Sequence, residues 1–125
     1  MNIDTGKAVI SRYNEKDNII LVNIYADGQL LSKDLDQIHG AIENLEVDVP
    51  VDTICVKSGK NYLSEEVLEY SQSHHCIHNK VIFVIQHMED IHYPSRAGET
   101  YFKDHWIDYC TSTDEAYYLL KQSFS

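Results

Sequence analysis

In the second half of the chain, short apolar runs alternate three times with segments patterned for helices. VDTICV (51–56) precedes SEEVLEYSQSHH (64–75), KVIFVI (80–85) precedes PSRAGETYFK (94–103), and HWIDYC (105–110) precedes TDEAYYLLKQSF (113–124). Brief runs rich in β-branched and aromatic residues, each followed by an amphipathic stretch, predict an α/β domain around a largely parallel sheet. The first half has a different rhythm. Ala8–Tyr13 and Ile19–Tyr25 are apolar segments separated by Asn14-Glu15-Lys16-Asp17-Asn18, a turn-prone interval that predicts an antiparallel hairpin. Along the second of these segments Ile20, Val22 and Ile24 share one face, while Ile19, Leu21, Asn23 and Tyr25 share the other. Both faces are mostly apolar, which predicts a strand inside the sheet rather than at its edge.

Asp27-Gly28 signals a turn, and Ser32 or Asp34 is placed to cap the helix that follows. Leu31, Leu35, Ile38, Ile42 and Leu45 then recur at alternating spacings of four and three, one buried stripe on a helix, with Pro50 beyond its end. The order predicted for the single domain 1–125 is therefore an N-terminal β-hairpin and helix, followed by β-α-β-α-β-α. Helix starts in the second half agree with it. Ser64 precedes Glu65 and Glu66, Ser112 stands three residues before Glu115, and Pro94 suits a first helical turn.

Composition narrows the function classes. With 43% hydrophobic residues among 125, the chain can form a core, and no run approaches the ~20 apolar residues of a membrane span. The start MNIDTGKAVISRYNEKD has neither a basic n-region nor an apolar h-region, so no secretory signal is expected. Cysteines at 55, 76 and 110 lack C-x-x-C spacing, which suggests reduced thiols and a cytoplasmic location. Twenty acidic against ten basic side chains give a net charge of −10, which repels nucleic-acid backbones and anionic membranes and leaves room for a basic protein partner.

Candidate chemistry is sparse. His74 and His78, within H-H-C-x-H, would share a face of an intact helix at metal-binding spacing. Asn79 marks the end of that segment, however, and imidazoles suit a helix C-terminus in any case, so no metal or other cofactor is expected. Cys55 and Cys110 fall inside apolar runs and read as buried hydrophobes rather than nucleophiles. Ser58-Gly59-Lys60 lacks the remainder of a phosphate loop and reads as a polar turn. Among the nine tyrosines, Tyr93 and Tyr101 lie near Phe102 and Trp106, a group that reads either as core or as the lining of an apolar pocket.

Taken together, the strand VDTICV leading through SGKNYL to S-E-E-V, the segment Pro94-Ser95-Arg96-Ala97-Gly98 with Tyr101-Phe102, and the stretch W-I-D-Y-C-T-S-T-D-E-A-Y-Y-L-L resemble the STAS family. The closer resemblance is to stand-alone, STAS-like (SpoIIAA-like) bacterial proteins of the uncharacterised type. It implies a mixed, mainly parallel sheet with flanking helices and a non-enzymatic regulatory or protein-interaction role, with a homodimer as one form of partner. The alternative it implies is a small apolar-ligand, lipid-like binding domain. Anti-anti-sigma members of the family carry Asp-Ser-Ser-Gly at the helix start after this strand, with a phosphorylated serine. Here Leu63-Ser64-Glu65-Glu66-Val67 stands at that point, so the resemblance places a phosphorylation or partner surface at Ser64, Glu65, Glu66 and Tyr70, with Ser58 as a second serine. From its own surroundings Ser64 reads first as a plain helix cap, since the neighbouring glutamates would repel a phosphate.

Overall fold

The computed structural model describes residues 2–63, 78–85 and 106–122, and it is a mixed α/β fold. Its main sheet has six strands: β1 (Asn2–Asp4), β2 (Ala8–Arg12), β3 (Ile19–Ile24), β5 (Val51–Lys57), β7 (His78–Ile85) and β8 (Trp106–Cys110), paired in that order. Two three-residue strands, β4 (Gly28–Leu30) and β6 (Asn61–Leu63), pair separately in parallel. The described helices are α1 (Ser32–Glu43) and α2 (Thr113–Gln122).

The expected hairpin forms. β2 and β3 pair antiparallel, with Ile10 opposite Val22, and the turn between them is closed by Asn14, whose Oδ1 accepts the N–H groups of Lys16 (3.2 Å) and Asp17 (2.9 Å). From β3 onward the pairing is parallel through β5, β7 and β8, so β3 lies inside the sheet, as its two apolar faces require. β1 is an additional strand that no sequence pattern signals. It pairs antiparallel with β2 across a turn where Gly6 takes φ 98° and donates its N–H to Asp4 Oδ1 at 2.8 Å.

Side-chain alternation divides the apolar residues into two cores, one on each face of the sheet. On one face, Ala8, Ile10, Ile20, Val22, Cys55, Val81 and Phe83 meet Leu35, Ile38, Ala41 and Ile42 of α1. On the other, Ile19, Ile54, Val56, Ile82, Val84 and Cys110 meet Ala116 and Leu120 of α2. Leu35, Ile38 and Ile42 of the stripe read from the sequence form the buried face of α1, while Leu31 is half-buried at its N-cap and Leu45 is buried in the turn beyond its end. Capping differs in detail from expectation. Leu31 occupies the N-cap position, and Asp34, in the first turn, reaches back to accept its N–H at 2.8 Å while also binding Lys7 Nζ at 3.0 Å. At α2 the expected residue acts: Ser112 Oγ accepts the Glu115 N–H at 3.1 Å.

The helix-patterned segments 64–75 and 94–103 lie outside the described residues. No described helix is long and apolar enough to cross a membrane.

Candidate functional site

In open α/β sheets, loops at the carboxyl ends of parallel strands converge and carry function. Here that edge is shaped by β3 and β5. Their register, Ile19 opposite Asp52 and Ile24 opposite Lys57, resumes with the same offset in β4 and β6, where Gly28 faces Asn61. The short β4–β6 pair therefore keeps the β3–β5 offset beyond matched three-residue bends, Tyr25-Ala26-Asp27 and Ser58-Gly59-Lys60.

The bends are bonded to each other. The N–H groups of Ser58 and Gly59 both donate to the Ile24 carbonyl, at 3.1 and 3.2 Å. The Lys60 N–H donates to Asp27 Oδ1 and the Gly28 N–H to the Lys60 carbonyl, each at 2.8 Å. Gly59 is required by close approach: a Cβ there would fall inside van der Waals contact of the Tyr25 and Ala26 carbonyl oxygens. Beneath the turn, Asn61 is buried and its Nδ2 donates to the carbonyls of Ile24 (3.3 Å) and Ala26 (3.1 Å). Among the described residues its Oδ1 has no hydrogen-bond partner. The buried Lys57 donates from Nζ to the Gly59 carbonyl at 3.1 Å. These bonds make the turn rigid.

On this rigid turn Ser58 is exposed, and its hydroxyl donates to Asn23 Oδ1 at 2.6 Å. An amide oxygen orients that proton but does not remove it, so the hydroxyl is displayed without being activated as a nucleophile. Tyr25 and Asp27 beside it are exposed as well, and Tyr25 is anchored through its hydroxyl to Asp4 Oδ1 at 2.8 Å. The Gly6 N–H, and then this hydroxyl, hold the Asp4 carboxyl below its ordinary value.

A second polar cluster lies at the opposite end of the strands. The Asp17 carboxylate accepts Tyr117 O–H at 2.6 Å, Lys121 Nζ at 2.9 Å and Asn14 Nδ2 at 3.1 Å, tying the β2–β3 turn to α2. Tyr13 stacks on Tyr117 with ring centroids 4.9 Å apart, and its hydroxyl approaches Asp114 Oδ1 at 3.5 Å. The Tyr117 hydroxyl, then Lys121 and Asn14, hold the Asp17 carboxyl well below the usual carboxylate range, while the same contact raises Lys121. Because the folded-state value is depressed, the stabilisation is complete above the unfolded carboxylate value of about 4 and fades as pH falls through the acid range. Asp17→Asn should therefore lower stability at pH 7, and the gap to wild type should narrow toward pH 3. Urea unfolding at several pH values checks this, and a gap independent of pH would contradict it.

The thiols behave as expected. Cys55 is buried and burial pushes its thiol up to about 12, while the buried Cys110 donates from Sγ to the Ser112 carbonyl at 3.2 Å. The two lie on opposite faces of the sheet, so they do not pair with each other. Among the described residues no group of three or more histidine, cysteine or acidic side chains is placed to hold a metal.

Of the residues singled out in the sequence, Ser64, Glu65, Glu66, Tyr70, His74, Tyr93, Tyr101 and Phe102 lie outside the described residues. His78 opens β7 and Trp106 opens β8. A strand at His78 replaces the helical continuation that would have placed it on a common face with His74. Ser58-Gly59-Lys60 is a polar turn, as read. What the sequence does not reveal is its bonding to Asn23, Ile24 and Asp27, residues more than thirty positions away. Compared with known proteins, the chain matches no family model, no curated protein and no solved structure.

Proposed function

We propose that this chain is a STAS-like regulatory module that binds a protein partner, without enzymatic chemistry of its own, through the surface at the carboxyl ends of β3 and β5. The observation that carries this reading is the Ser58 hydroxyl, exposed on a turn fixed by backbone bonds to β3 and held by an amide oxygen rather than by a base. A rigid displayed hydroxyl suits recognition, where ordering the surface beforehand reduces the entropy lost on binding. The order of elements supports the family reading: an antiparallel hairpin, a helix, parallel strands and a further helix on the other face. By the same family resemblance, Ser64, Glu65 and Glu66, which follow β6 directly in sequence, belong to the partner-binding residues. The net charge of −10 favours a basic partner, and buried thiols are compatible with a cytoplasmic setting.

Two variants test the surface. Ser58→Glu, and the charge reversal Glu65→Lys with Glu66→Lys, should each reduce partner recovery in a gentle pull-down at least tenfold. Ser58→Glu should keep its melting temperature within a few degrees of wild type, because Ser58 is exposed and the hydrogen bond its hydroxyl gives to Asn23 is worth about 1 kcal/mol. Full recovery by both variants would overturn the proposal.

A further inference from the structure

No further inference is drawn: the strongest candidate, the cleft of about 290 Å³ at the amino ends of β3 and β5 bounded by Asp17, Asp52, Asn79 and Lys121, carries nothing, because these polar side chains are bonded to one another or to neighbouring turns and nothing in the structure points to what would fill it.

Discussion

Replacing Phe83 with alanine is expected to remove about 3–5 kcal/mol of stability, the usual cost of truncating a fully buried aromatic. Phe83 is 1% exposed, sits in β7 between β5 and β8, and faces the core that α1 covers. β7 itself is paired on both sides, with β5 and with β8, so the backbone around the void cannot close in without breaking ladder bonds, and the cavity cost adds to the lost transfer energy. A domain stable by roughly 5–15 kcal/mol would lose a large part of its margin. Tyr118→Ala, at a side chain 62% exposed on α2, should change stability by about 0.5 kcal/mol or less. Urea unfolding of both variants makes the comparison. Equal losses would contradict the placement of Phe83 in the core.

Gly59→Val is expected to cost about 3 kcal/mol, at the upper end for overpacking a closed site. The new Cβ would meet two backbone carbonyl oxygens, Tyr25 and Ala26, rather than the flexible end of a side chain. Relief would require parting the two bends, which breaks the bonds from Ser58 and Gly59 to Ile24 and from Asn61 to Ala26. The same variant should also lose partner binding, because it displaces the turn that carries Ser58. Gly28→Ala provides the contrast. Gly28 has φ 96° but open space where a Cβ would stand, so only backbone strain of about 1–2 kcal/mol is expected. Hydrogen exchange at the Ser58 and Gly59 amides would locate the damage, and unchanged protection in Gly59→Val would contradict the close approach.

The elements legible in the sequence are those whose periodicity is long enough to repeat. Ile20, Val22 and Ile24 announce β3, and the spacing from Leu35 to Leu45 announces α1, because each apolar position answers to one buried face. β1, β4 and β6 are three residues each, too short for any period to register. Their existence depends on pairing with chain far away. The Asp17 cluster was hidden for the same reason: Asp17 reads locally as a turn residue, and its Tyr117 partner lies a hundred positions along. At the candidate site, Ser58-Gly59-Lys60 was readable as a turn, but its rigidity comes from carbonyls of another strand. Leu31 at the N-cap of α1 shows a related limit, since the cap is supplied by Asp34 reaching backward rather than by the residue at the cap itself.

Native mass spectrometry of untagged protein, purified gently from its own host, tests the proposed role most directly. A complex with another protein, or with a second copy of the chain, carrying no small-molecule adduct, is the predicted result, and that complex should be lost in Ser58→Glu. A monomer carrying a reproducible small-molecule adduct would contradict it and make the chain a ligand-binding domain instead.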